Sequence, residues 1–183
     1  MKIYVIVEEN GQIGGWGTTP SSETDIPIEV SETDPFLFSH PKYFQYIDGK
    51  IVKNHQLVFE EAKERKIAEL SEACNAAIVG GFEFDGNVFQ FSERDQANFN
   101  QQLTILLLYP EIDSVTWKTE NNGVRVFTRE QFIETCKAGE RHKRTNIGHY
   151  WQWQDYIMRH EFESVEEIQK IEFQSPVPEQ AAT

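Results

Sequence analysis

The sequence predicts an α+β protein in which a small N-terminal antiparallel β module precedes a helical body with two short β-hairpins. Apolar and polar residues alternate in short runs over residues 1–56, which is typical of strands. Residues 57–174 contain longer segments with apolar residues three and four positions apart, which is typical of amphipathic helices. The turn sequences Asp85-Gly86-Asn87 and Asn121-Asn122-Gly123 interrupt these segments and indicate the two hairpins.

The β module is predicted to contain about five short strands and to dock another protein. Alternation over residues 3–7 gives the first strand, and Asn10-Gly11 is a strong signal for a two-residue hairpin turn. Residues 13–16 return as the second strand. Pro27 places the next strand at a sheet edge, because proline cannot donate to a strand ladder. The last two strands flank Asp48-Gly49.

The first helix of the body ends at Gly80-Gly81, since only glycine adopts the left-handed C-terminal conformation without steric cost. Its apolar stripe comprises Ile67, Leu70, Cys74, Ala77 and Ile78. A hairpin with an aromatic face follows over residues 82–91. Ser92 then caps a second helix, which ends before Pro110. The side chains expected to face inward from this helix are Phe99, Leu103, Leu106 and Leu107.

The second hairpin is predicted over residues 114–127, with Trp117 paired across it to Val124 and Val126. Thr128 and Gln131 have the spacing of a capping box and open a long helix.

That helix is expected to run to about His160, and a break near Gly139 or near Gly148 is left open. Ser164 and Glu167 form another capping-box pattern at the start of a last short helix. Residues 175–183 are predicted to form an extended tail.

Part of the body resembles a known family. The residues that carry the resemblance are Ala73-Cys74-Asn75-Ala76-Ala77-Ile78, Gly80-Gly81-Phe82 and Asp95-Gln96-Ala97-Asn98-Phe99. Their order is similar to that of an uncharacterised domain family found in bacteriophage tail-gene modules, and the similarity extends over roughly residues 60–173. Members are described as tail or tail-fibre proteins. The resemblance therefore implies a fold and a phage-tail context, and it implies no catalytic residue.

The formal net charge of −13 disfavours binding to nucleic acid or to an anionic membrane surface. The N-terminus lacks the apolar segment of a signal peptide, and no run approaches the ~20 apolar residues of a membrane-spanning helix. We therefore expect a protein made in the bacterial host cytoplasm. The resemblance implies that it is then incorporated in the virion tail.

The reactive side chains form no recognisable catalytic or metal-binding pattern. His142 and His149 are seven residues apart, whereas helical metal sites usually use pairs four apart together with a carboxylate. We interpret them as exposed or interface histidines. Cys74 and Cys136 are interpreted as buried thiols, with a disulfide or a redox pair as the alternative. The sequence thus predicts no catalytic residue, no metal and no cofactor.

These observations predict a non-enzymatic, tail-associated structural protein that docks a tail, baseplate or tail-fibre (receptor-binding) protein, with homo-oligomerisation as a further expectation. Aromatic residues are common at protein interfaces. The candidate partner-binding residues are Phe36, Phe38, Tyr43, Phe44, Tyr150 and Trp151. One alternative is an assembly chaperone for the tail fibre that is absent from the mature particle. A second alternative is a hydrolase or binding module for cell-surface glycans.

Overall fold

The computed structural model describes residues 1–178. Antiparallel strands at the N-terminus, a helical body and further antiparallel hairpins follow one another, which confirms the predicted α+β class. Residues 175–178 lie outside helices and strands, and the rest of the predicted tail lies outside the described residues. Among the described residues, no helix combines the length and the apolar character that a membrane crossing requires.

The chain forms two compact units, Met1–Glu64 and one that begins at Arg65. The boundary falls inside the first helix, α1, which spans His55–Val79.

The first unit contains the five predicted strands. Strands β1 (Lys2–Val7), β2 (Ile13–Gly17) and β3 (Ile26–Glu29) form an antiparallel sheet in the order β2-β1-β3. Strand β3 is therefore at an edge, as Pro27 predicts. Strands β4 (Phe44–Ile47) and β5 (Lys50–Lys53) form a separate hairpin. The buried core of this unit consists of Ile3, Val5, Ile13, Phe36 and Phe44.

In the second unit, a hairpin of β6 (Phe82–Phe84) and β7 (Asn87–Phe89) follows α1. Gly81 makes this connection with a φ of +95°, and a Cβ atom there would lie 2.5 Å from the carbonyl oxygen of Phe89. Only glycine fits this position, because any other residue would be strained at this φ and its Cβ atom would clash with the backbone. Helix α2 (Glu93–Leu108) then begins with the predicted cap.

A second hairpin joins α2 to the long third helix. Strands β8 (Ser114–Thr119) and β9 (Gly123–Thr128) pair antiparallel, and α3 (Arg129–Arg159) starts at the predicted Thr128 capping box. Helix α3 is unbroken. The short helix α4 (Val165–Gln169) follows and is capped by Ser164. Its capping box is incomplete, because the carboxylate of Glu167 accepts from the backbone N–H of Glu163 and not from that of Ser164.

Two expectations about side-chain direction are wrong. Leu107 is 65% exposed, because its direction on α2 differs from that of the buried residues Phe99 and Leu106. Trp117 pairs with Arg125, not with Val124 or Val126. Those valines face outward opposite Lys118 and Thr116, since alternate residues of a strand point to opposite faces.

The core of the second unit is largely aromatic. The ring of Phe82 stacks on that of Phe89 at a centroid distance of 5.2 Å, and Phe99 stacks on Phe132 at 5.6 Å. Trp117 packs against Phe99 at 4.5 Å. Each such pair contributes roughly 0.5–1.5 kcal/mol beyond the burial of its area. These contacts tie the hairpins to α2 and α3.

Candidate functional site

The aromatic residues proposed for docking in the first unit divide between its core and its surface. Phe36 and Phe44 are buried and contact each other edge-on at 5.0 Å, so neither ring is accessible to a partner. Tyr43 is half-buried, and its hydroxyl donates to Glu61 Oε2 at 2.8 Å. Phe38 is 78% exposed and is the ring that this group presents to solvent.

A short 3₁₀ turn over Pro35–Phe38 causes this division. The Asp34 side chain accepts a hydrogen bond from the Phe36 backbone N–H at 2.9 Å, which fixes the start of the turn. A 3₁₀ helix has three residues per turn, so residues two apart point in different directions. Phe36 therefore enters the core while Phe38 faces outward.

On α3, Tyr150 is half-buried against the core, whereas Trp151 is 63% exposed. The next tryptophan, Trp153, is buried. Met158 is also exposed and lies seven residues after Trp151, hence on the same side of the helix. This side of α3 therefore presents two separate apolar side chains to solvent.

An apolar depression of the second unit, which we call the α2–α3 groove, lies between these two helices. It has a volume of about 510 Å³. Its apolar lining comprises Phe91, Phe99, Leu103, Leu107, Ile133 and Cys136. Lys143 Nζ donates to Gln96 Oε1 at 2.8 Å, and Gln96 Nε2 donates to the carbonyl oxygen of Phe91 at 3.0 Å. These bonds form a fixed polar link between α3, α2 and the aromatic hairpin.

This groove was not predicted from the sequence, although α2 contains a usable signal. Leu106, Leu107 and Leu108 are consecutive, and residues on a helix are about 100° apart. Three consecutive side chains on a helix cannot all point into the same core. Leu106 is buried, whereas Leu107 and Leu108 are both exposed. A run of leucines at the end of a helix therefore indicates apolar surface that its own fold does not cover.

His142 and His149 of α3 each form a hydrogen bond with a backbone carbonyl group elsewhere in the second unit. His142 Nε2 lies 3.1 Å from the carbonyl oxygen of Ala77, and His149 Nε2 lies 2.6 Å from that of Phe173. Because a carbonyl oxygen only accepts, each Nε2 carries the proton. Within residues 1–178, no three His, Cys, Asp or Glu side chains come together as a metal site.

Both cysteines are free thiols, which excludes the disulfide alternative in this structure. Cys74 is buried and Cys136 is half-buried at the α2–α3 groove. Burial raises the pKa of Cys136 from its ordinary value of 9.0 to about 11. Burial also raises the pKa of Cys74. A raised pKa keeps a thiol protonated and poorly nucleophilic, so neither cysteine is suited to catalysis at neutral pH.

Comparison with known proteins gives one family. A family model described as a domain of unknown function (DUF4376) matches residues 61–173. No curated protein and no solved structure matches the chain.

Proposed function

The chain belongs to the DUF4376 family, and from this premise we propose that it is a non-enzymatic structural protein of a bacteriophage tail. In this proposal it is made in the host cytoplasm, becomes part of the virion tail, and acts by docking a tail, baseplate or tail-fibre protein. The phage context comes from the resemblance of its helix–hairpin–helix segment to proteins of tail-gene modules.

The α2–α3 groove is the observation that carries the docking role. Large apolar depressions on a protein surface mark sites where ligands or other proteins bind. The groove is open to solvent, and the exposed side chain of Leu107 is part of its lining. Covering the apolar lining with a partner would remove apolar area from water, which stabilises a complex by roughly 25 cal/mol per Å².

The charges around the groove indicate what kind of segment would fill it. The chain as a whole is strongly acidic, yet the groove is bordered by Lys137 and Lys143 and by one acid, Glu140. The carboxylate of Glu140 is already paired with Arg144, whose Nε lies 2.7 Å from Glu140 Oε1. Lys137 is likewise paired with Glu134 at 2.7 Å. Lys143, which donates to a neutral side-chain amide, is therefore the cation of the groove that a carboxylate of the partner would meet. We therefore assign the groove to an amphipathic segment of the tail partner that has apolar side chains and a carboxylate.

Mass spectrometry of purified particles tests the proposal. We expect the chain at a stoichiometric level, with cross-links from Lys143 to a neighbouring tail protein. Absence from finished particles, together with misfolded fibres when the chain is deleted, would instead support an assembly chaperone. Cleavage of cell-surface glycan by the purified protein would contradict the non-enzymatic role.

A variant can separate docking from folding. We expect Leu107→Ser to reduce incorporation into particles by about tenfold, because it removes an exposed side chain from the groove, with little change in thermal stability. The matched control is Val124→Ser, since Val124 is 67% exposed on β9 and lies outside the groove. Equal loss of incorporation in both variants would argue against the groove as the docking site.

A further inference from the structure

A second pocket of the second unit, at the C-terminal end of α3, has a different chemistry from that of the groove. Its volume is about 410 Å³. Aromatic rings from α3 and from the segment that follows it form one part of the lining, and carboxylates form another. The lining includes the rings of Trp153, Tyr156 and Phe162 and the carboxylates of Glu161, Glu163 and Glu167. We call this site the aromatic–acidic pocket.

Three rings of the pocket are arranged as walls at right angles. The ring of Trp153 meets that of Tyr156 at 81° with centroids 5.7 Å apart. The ring of Phe162 meets Tyr156 at 85° with centroids 6.0 Å apart. His160 stacks on Tyr156 at 4.8 Å and braces this ring. Aromatic faces carry negative potential, so the ring faces that line the pocket attract an organic cation.

The charged groups of the pocket also favour the binding of a cation. Glu161, Glu163 and Glu167 line it, and no lysine or arginine does so among the residues that the structure describes. Glu167 has a structural role, because its carboxylate accepts from the Glu163 backbone N–H at 3.0 Å in the first turn of α4. Glu161 and Glu163 precede that helix and its cap, so helix stabilisation does not account for their carboxylates.

Trp153 is 3% exposed, and its Nε1 atom is buried without a hydrogen-bond acceptor in the described part of the chain. A buried indole N–H usually has a partner, and an unpaired one is costly. Because its Nε1 atom is not accessible to solvent, this N–H does not bond a ligand in the pocket, and its NMR signal instead reports changes around the Trp153 ring that lines the pocket.

We propose that the aromatic–acidic pocket binds the guanidinium group of an arginine side chain that the docking partner presents. This inference rests on the proposed function. Arginine fits better than lysine, because its planar group stacks on aromatic faces and forms two parallel hydrogen bonds with a carboxylate. A net charge of −13 also favours approach of a basic segment.

The test is an NMR titration of the full chain at low salt, observed at the indole N–H signal of Trp153. The probe is N-acetyl-arginine amide, and its neutral analogue N-acetyl-citrulline amide is the control ligand. We expect a saturable shift with the arginine compound alone. Equal shifts from both compounds, or no saturable shift with arginine, would overturn the proposal. Equally tight binding of tetramethylammonium would show that the pocket does not select a guanidinium group, and would also overturn the proposal.

Variants locate the binding site. We expect the double variant Glu161→Gln, Glu163→Gln to bind the arginine compound at least about fivefold more weakly, because it removes two carboxylates from the pocket. The matched control is Glu166→Gln, Glu172→Gln, which removes the same charge at exposed positions outside the pocket lining. An equal loss in the control would show a general charge effect and overturn the site.

The two proposals fail separately. If the chain is present in particles but arginine does not bind, the pocket assignment fails and the tail role stands. If arginine binds saturably but particles lack the chain, the guanidinium site stands and the tail role fails.

Discussion

Gly139 and Gly148 lie on the same helix, α3, but in different surroundings. A Cβ atom at Gly139 would lie 3.0 Å from ring atoms of Phe82 and of Phe91, whereas one at Gly148 would have no neighbour within 4 Å. We expect Gly139→Ala to lower the free energy of unfolding by about 1 kcal/mol, because overpacking outweighs the gain in helix propensity. Urea denaturation followed by circular dichroism measures the change.

Gly148→Ala is the control for this substitution. It gains the same propensity without a clash, so we expect it to raise the free energy of unfolding by roughly 0.5–1 kcal/mol. Stabilisation by both substitutions would show that the hairpin rings move aside easily, contrary to close packing of α3 on Phe82 and Phe91.

The thiol of Cys136 is expected to make the free energy of unfolding depend on pH. Its folded-state pKa of about 11 is above the ordinary value of 9.0, so folding favours the protonated thiol. The stability from this difference is fully present below pH 9 and is lost as the pH rises toward 11. We expect the free energy of unfolding to fall less steeply between these values in Cys136→Ala than in the unchanged protein. Parallel pH profiles would contradict the burial of this thiol.

The sequence located the aromatic cluster near Phe36 but did not distinguish its buried rings from its exposed ring. That distinction depends on the 3₁₀ turn and on the hydrogen bond from Phe36 to Asp34. Such a turn carries no periodic apolar pattern, because it is only four residues long. Composition alone therefore overestimated the accessible aromatic surface, and Phe38 is the ring that remains for a partner.

At the scale of elements, Lys66 on α1 holds the C-terminal part of the second unit. Its Nζ donates to the carbonyl oxygens of Gln169 at 3.0 Å and of Ile171 at 3.3 Å, and it pairs with Glu69 at 2.6 Å. Lys66 is only 9% exposed. These bonds satisfy carbonyl groups at and just beyond the end of α4.

We expect Lys66→Met to release α4 from α1 at a cost of about 1–3 kcal/mol, since two carbonyl groups lose their donor. Hydrogen exchange measured by mass spectrometry should become faster over Val165–Gln169. The control is Lys137→Met, because Lys137 is an exposed residue paired with Glu134 on α3. Unchanged exchange in α4 of the Lys66 variant would show that packing of Ile168 alone holds this helix.

Helix starts were predictable where the signal is local. Ser92 and Thr128 cap α2 and α3 through groups three residues away, so a short stretch of sequence contains the whole interaction. The contact of Lys66 with Gln169 spans 103 residues, and no local pattern reports it. The same limit explains why the α2–α3 groove was missed, since it exists only when two helices pack together.

For the molecule as a whole, the buried and the exposed tryptophan of α3 are expected to contribute very differently to stability. Trp153 is buried, so we expect Trp153→Ala to lower the free energy of unfolding by about 3–5 kcal/mol. Trp151 is exposed two residues earlier, and we expect Trp151→Ala to change stability by less than about 0.5 kcal/mol. Chemical denaturation measures both values. The reverse order would contradict the orientation of α3.

The α+β class, the five leading strands and both hairpins of the body were predictable, because turns, caps and alternation are local properties. Function was less accessible, since the recognisable residues of the body are boundary signals. The Gly80-Gly81 pair, for example, stops α1 and allows the close approach of Gly81 to Phe89, but it reports no ligand.

The start of the family match and the boundary between the two units nearly coincide. The match begins at residue 61 and the second unit at Arg65, so both limits fall within α1. The five leading strands therefore lie outside the residues that the family model matches. We expect relatives to diversify in this leading part, and a property common to the lineage to reside after Arg65.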